Sequence, residues 1–313
     1  MIWFLFLVLL GLIVTPFVVE LRRPPMDARA RREATGDFVE LTDGVTYYEW
    51  HGPSRGNVVV CIHGLTTPSY IWRPLVDRLT GLGLRVLTYD LYGRGLSDRP
   101  AGRQDRAFFV QQLDELLTAL EVNRSVTLLG YSMGGAIATA FAVDHPERVD
   151  RLMLIAPVGL GHRMSRFLTF CAEAPVVGEW AIRLLGGVMH RRGVDQSLPP
   201  DPALPDFTTR VAGEMGIRGT LPAVLSSLRN MMEEDMALPH RRLADTGLPI
   251  VAVWGEADRI IPLSAMGRLT QINRSARQVQ LPGATHSLPY THPDQIMDAL
   301  TDTLHAGTVP AKR

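Results

Sequence analysis

A serine set between glycines, in Gly130-Tyr131-Ser132-Met133-Gly134-Gly135, is the segment of this sequence best suited to covalent chemistry. It follows the apolar run Val126–Leu129 and precedes the helix-like stretch Ala136–Val143, so the serine falls on a strand-to-helix turn. Such a turn strains the backbone, and side chains two positions either side of the serine would collide, which suits Gly130 and Gly134. The helix start adds backbone donors beside the reacting oxygen. As a bare pattern the same glycines could serve close packing alone; the strand before and the helix after favour the chemical reading.

A serine hydroxyl is a weak nucleophile until a base takes its proton, and that base must be oriented by a third group. Downstream, the apolar run Ile250–Trp254 leads into Gly255-Glu256-Ala257-Asp258, which puts Asp258 on a loop leaving the C-terminal edge of a sheet. Leu281-Pro282-Gly283-Ala284-Thr285-His286 places His286 at that same edge. The order Ser132, Asp258, His286 is the chain order that accompanies an elbow serine. Glu256 is an alternative orienting group, but it sits immediately at the strand exit, which favours Asp258. His63 fits a shaping role in the loop after its strand, His145 precedes Pro146 at a helix end, and His162, His190 and His240 read as solvated or structural.

These residues need a scaffold, and the sequence supplies an alternation of short β-branched runs with helical stretches. Strands are expected at Val45–Trp50, Val58–Ile62, Arg85–Tyr89, Val126–Leu129, Leu152–Ala156, Ile250–Trp254 and Gln278–Leu281. Helices are expected at Tyr70–Leu82, Asp105–Glu121, Met133–Asp144 and His292–Leu304, with Pro293 a natural first-turn residue. The pattern is that of an α/β fold, a mostly parallel sheet flanked by helices. Residues 159–246 break the rhythm and read as a helical insertion, with patches at Trp180–Met189 and Leu221–Met232. Met164, Met189, Met215, Met231, Met232 and Met236 in that insertion are the type that lines an adaptable apolar pocket, or simply fills a core.

With these motifs in order, the chain resembles the α/β-hydrolase superfamily from about Val45 to Leu304. Beyond the elbow, the resemblance rests on Cys61-Ile62-His63-Gly64, on Asp90-Leu91-Tyr92-Gly93-Arg94-Gly95-Leu96-Ser97-Asp98-Arg99-Pro100, and on the Asp258 and His286 loops. It implies that the Leu65 and Met133 amides form an oxyanion hole, that residues 159–246 are a helical cap, and that Asp90 and Asp98 are structural. Thr66, Thr67 and Trp72 follow the oxyanion segment and are candidate substrate contacts. Serine at the elbow, where a carboxylate would be needed, argues against haloalkane dehalogenase and epoxide hydrolase chemistry. Carbon–carbon hydrolases and cofactor-free perhydrolases of the superfamily use a similar elbow. The former carry a glycine-rich segment after His-Gly, where this chain has Leu65-Thr66-Thr67-Pro68.

Residues Met1–Val19 carry no charged side chain, and at about 1.5 Å per residue such a helix approaches the roughly 30 Å hydrocarbon thickness. Neither a basic segment before it nor a small-x-small cleavage site after it marks a removable leader. Arg22, Arg23, Arg29, Arg31 and Arg32 follow it, so the positive-inside rule places the domain in the cytoplasm; export as a tethered domain is the alternative. The expected organisation is an anchor at 1–20, a basic linker at 21–36, hydrolase core at 37–158 and 247–305, the cap at 159–246, and a tail at 306–313. The 32 basic and 32 acidic residues cancel, which disfavours a nucleic-acid partner. Cys61 and Cys171 are too few for a disulfide framework or zinc site, and the expectation is no metal and no cofactor. The expected activity is hydrolysis of a carboxylic ester, with lipid esters such as monoacylglycerols suggested by the anchor. A non-catalytic ligand-binding protein is the rival from another class.

Overall fold

The computed structural model describes residues 1–194 and 202–305. The strands are β1 (Asp37–Leu41), β2 (Gly44–His51), β3 (Val58–Ile62), β4 (Arg85–Tyr89), β5 (Val126–Tyr131), β6 (Val149–Ile155), β7 (Ile250–Gly255) and β8 (Arg277–Leu281). They form one sheet in the order β1-β2-β4-β3-β5-β6-β7-β8. β1 and β2 pair antiparallel, as do β2 and β4, and the remaining pairings are parallel. β3, β5, β6 and β7 are buried almost throughout because helices cover both faces, which is why they read as continuous apolar runs.

The helices are α1 (Ile2–Arg22), α2 (Arg73–Gly81), α3 (Arg106–Ala119), α4 (Met133–Asp144), α5 (Arg166–Glu173), α6 (Pro175–Val194), α7 (Phe207–Glu214), α8 (Thr220–Arg229), α9 (Ala237–Ala244), α10 (Leu263–Ile272), α11 (Leu288–Thr291) and α12 (Pro293–His305). The α/β fold class is as expected, with several shifts in detail. β1 had no expected counterpart: it is a largely exposed edge strand, so burial imposes little apolar pattern on it. α10 and α11 were also unexpected. The expected helix at Tyr70–Leu82 is a 3-10 turn, Ser69–Trp72, that passes into α2. β6 begins three residues earlier than the Leu152 expected. The expected tail at 306–313 lies outside the described residues.

Helices α5 to α9 fall between β6 and β7, where the insertion was expected. Its methionines mostly fill the core: Met215, Met231, Met232 and Met236 are buried, whereas Met189 is exposed. The insertion is latched to the sheet by buried polar groups. Glu214 on α7 accepts from the Gly95 N–H at 2.7 Å and pairs with Arg99 at 3.3 Å. Arg94, fully buried, donates to Ser227 on α8 at 2.8 Å and to Gln104 at 2.5 Å. Asp98 accepts from the Val45 N–H and from Arg31, so the segment after α1 is docked on the core at Arg31. Asp90 accepts from the Ser69 and Leu96 N–H groups. Both aspartates are therefore turn-forming, as the resemblance implied.

Among the described residues one helix, α1, is long and apolar enough to cross a membrane, with mean hydropathy 2.8 and almost every side chain exposed.

His240 on α9 is fully buried, neither ring nitrogen has a partner among the described residues, and burial pushes its pKa down from 6.5 to about 4. Between those values the unfolded chain takes up a proton that the folded chain refuses, so stability falls as pH falls. Urea unfolding in detergent is expected to show a midpoint that drops less between pH 7 and pH 5 for His240→Leu than for the natural chain. Equal drops would show that this histidine does not contribute to the pH dependence.

Candidate active site

The site is built at the junction of β5 and α4. Ser132 sits there with φ +53° and ψ −118°, outside the regions that L-residues normally occupy. The turn is held by Ser132 N–H donating to the Ile155 carbonyl at 2.9 Å, and by its own carbonyl accepting from Gly135 and Val158. Glycine is required on both sides. A Cβ on Gly130 would collide with the Gly134 carbonyl, and one on Gly134 with the Ile62 carbonyl. A Cβ on Gly135 would lie 2.8 Å from that of Pro157.

The structure brings together all three residues of the expected relay. His286 Nε2 lies 3.0 Å from Ser132 Oγ, and His286 Nδ1 lies 2.7 Å from Asp258 Oδ2. Asp258 is buried, and its other oxygen accepts from the Ile260 and Ile261 N–H groups, both at 2.8 Å. Fixed in this way, the carboxylate can orient the imidazole with Nδ1 protonated and Nε2 free to accept from the serine. Glu256, the alternative, faces elsewhere: it accepts from the Gly283 N–H at 3.0 Å.

The Leu65 amide is aimed by its neighbours. His63 is fully buried, and its Nε2 accepts from the Leu91 N–H at 2.9 Å, so Nδ1 carries the proton and donates to the Gly64 carbonyl at 2.8 Å. Burial pushes the His63 pKa down to about 3, which keeps this tautomer neutral. In a planar trans peptide the N–H points opposite to the C=O. Pinning the Gly64 carbonyl therefore turns the Leu65 N–H the other way. On the next peptide, Arg94 Nε donates to the Leu65 carbonyl at 3.0 Å. The loop lies against the serine: a Cβ on Gly64 would be 3.4 Å from Ser132 Cβ. Met133 is the first residue of α4, where the helical N–H has no intrahelical partner. Neither N–H is engaged in a hydrogen bond among the described residues.

Several contributors had no sequence expectation. Tyr131 donates to the His286 carbonyl at 2.7 Å and its ring lies 5.1 Å from the imidazole. Arg94 supports the Leu65 loop although its buried position follows no apolar pattern. Phe207, from the insertion, contacts both Tyr70 and Tyr290, with ring centroids 6.4 and 4.5 Å apart. Trp72, a candidate substrate contact, is instead fully buried in the core. Among the described residues there is no metal-binding cluster of His, Cys, Asp or Glu.

A mostly parallel sheet with a helical insertion, and with this constellation at its C-terminal edge, defines a hydrolase of the α/β class. The model of the alpha/beta hydrolase family matches residues 59–299, and the chain belongs to that family. It is 30% identical over 226 residues to a 2-hydroxy-6-oxo-2,4-heptadienoate hydrolase from Pseudomonas putida, covering 71% of this chain and 79% of the relative. It is 28% identical to a Synechocystis protein carrying the provisional name of non-heme chloroperoxidase, covering 82% and 94%. Among solved structures it is similar to a bromoperoxidase from Bacillus anthracis, with TM-score 0.72, 21% identity, and 87% and 100% coverage.

If the Ser132 backbone is strained, relieving it stabilises the fold independently of chemistry. Ser132→Gly is expected to exceed Ser132→Ala in unfolding free energy by about 1 kcal/mol, read from urea midpoints. An alanine variant as stable as the glycine one would show that the turn stores no strain.

Proposed function

We propose that this protein is a membrane-anchored serine hydrolase that cleaves carboxylic esters, with α1 as a single-pass anchor and the hydrolase domain on the cytoplasmic side. The observation that supports it most is the unbroken Ser132–His286–Asp258 hydrogen-bond relay beside two unengaged amides. In this reading Ser132 Oγ attacks the ester carbonyl carbon while His286 Nε2 takes its proton. Asp258 stabilises the imidazolium, and the Leu65 and Met133 N–H groups hold the oxyanion. Collapse of the tetrahedral intermediate breaks the carbon–oxygen bond, and His286 returns the proton to the leaving alkoxide. Water, deprotonated by the same nitrogen, then releases the acid and restores Ser132. The anchor favours an ester of an amphipathic alcohol such as a monoacylglycerol, because a tethered site meets bilayer lipid at high local concentration.

A second reading, hydrolysis of a carbon–carbon bond in a dienone acid, is favoured by the similarity to the heptadienoate hydrolase. Turnover of p-nitrophenyl esters, monoacylglycerols and a dienone acid by the full chain separates the two. Ester turnover that falls at least about 1,000-fold in Ser132→Ala is the expected result. Turnover of the dienone acid alone would favour the second reading. Undiminished ester turnover in the alanine variant would contradict the assigned nucleophile.

A further inference from the structure

The insertion meets α1 through a specific contact. Pro16 lacks an N–H, so the Leu12 carbonyl four residues earlier is without its helical donor. The Trp180 indole on α6 donates to that carbonyl at 2.7 Å. Pro16 and Glu20, one turn apart, are the buried residues of α1. Glu20 accepts from the Gly219 N–H at 2.6 Å, and Arg183 lies over the Phe17 ring at 4.8 Å. Leu12 meets Trp180 and Phe17 meets Arg183, so α1 and α6 run in the same direction. Residues of α6 ahead of Trp180 therefore lie toward the apolar part of α1, away from its charged end.

Those residues are Val176 and Val177, 79% and 57% exposed, with Phe170 of α5 46% exposed beside them. A corner between two helices normally leaves the carbonyls at the first helix's end to water. Here the guanidinium of Arg229, reaching across from α8, takes them. It donates to the carbonyls of Cys171, Ala172, Ala174 and Pro175 at 2.9–3.0 Å, and pairs with Glu179 at 3.3 Å. Internal satisfaction of peptide carbonyls is the condition for backbone to enter an apolar medium. Glu173, the exposed carboxylate of the corner, lines a cleft of about 410 Å³ together with Arg229 and Glu233.

We propose that the α5–α6 corner is a second membrane contact, with Phe170, Val176 and Val177 entering the boundary between lipid headgroups and acyl chains beside α1. This rests on the reading of α1 as an anchor. The occupant is a lipid surface because the exposed patch continues the apolar surface of α1 across the Trp180–Leu12 contact. Two attachments in place of one fix the tilt of the insertion, and with it the aspect of the site toward lipid.

The test uses the full chain in phosphatidylcholine vesicles, with a single environment-sensitive label on Val177→Cys, Leu10→Cys or Arg124→Cys and quenchers carried on the lipid chains. Cys61 and Cys171 are buried, so the engineered thiol is the accessible one. The label at 177 is expected to be quenched less than the one at 10, which lies near the bilayer middle, and several times more than the one at 124, consistent with immersion of about 5–10 Å. Quenching at 10 but not at 177 overturns the second contact and leaves the anchor. Quenching at neither overturns both. Shielding at 177 without quenching, growing with protein concentration, assigns the patch to a second copy and overturns the lipid assignment. Ester turnover measured on the same vesicles reports separately on the hydrolase reading.

Discussion

The fold turns on one backbone constraint, the positive φ of Ser132 at the end of β5. A residue held there projects its side chain from the sheet edge and starts α4 in the same step. The cost, of order 1–3 kcal/mol for a sparsely populated conformation, must be offset by surroundings that allow no alternative. They do so by contact: α4 approaches β3 and β5 so closely that Gly130 and Gly134 leave no room for a methyl group. The buried, alanine-rich face of α4 allows that approach. Ser132 Oγ then needs only one correctly placed imidazole, and the loop after β8 supplies it.

Around that turn, the polar groups that aim the site are themselves buried and connected. His63 ties the Gly64 carbonyl to the loop after β4, and Arg94 of that loop ties the Leu65 carbonyl to Ser227 of the insertion. Arg94 remains cationic although burial lowers its pKa to about 9. Glu214 and Arg99 extend the network toward Gly219, where Glu20 of α1 joins. Buried polar networks are costly when incomplete and rigid when satisfied. A continuous path of hydrogen bonds and packed side chains thus runs from the N-terminal helix to the proposed oxyanion loop, so the insertion is part of the site's framework.

The legibility of these features in the sequence follows the physics of each. Ser132, Asp258 and His286 were readable because strand, turn and loop chemistry constrain residue type locally, and the structure brings them within hydrogen-bonding distance. The inner strands were readable because burial on both faces forces apolar runs. β1 was not, since an exposed edge strand is under no such demand. Arg94 and Tyr131 were not, because their importance lies in partners distant in the chain. The methionines of the insertion were ambiguous for a similar reason: a core and an adaptable pocket select the same side chain, and packing resolves most of them as core. Likewise Trp180 reads as one more aromatic until Pro16 is seen to leave a carbonyl within its reach.

The central claim, that this turn and relay make Ser132 a nucleophile, is tested most directly by mapping the adduct of a fluorophosphonate on the folded, membrane-bound protein by peptide mass spectrometry. The account expects a single phosphonyl group on the peptide containing Ser132, absent after prior denaturation. A folded protein that takes up no probe, or takes it up on a different residue, would contradict it.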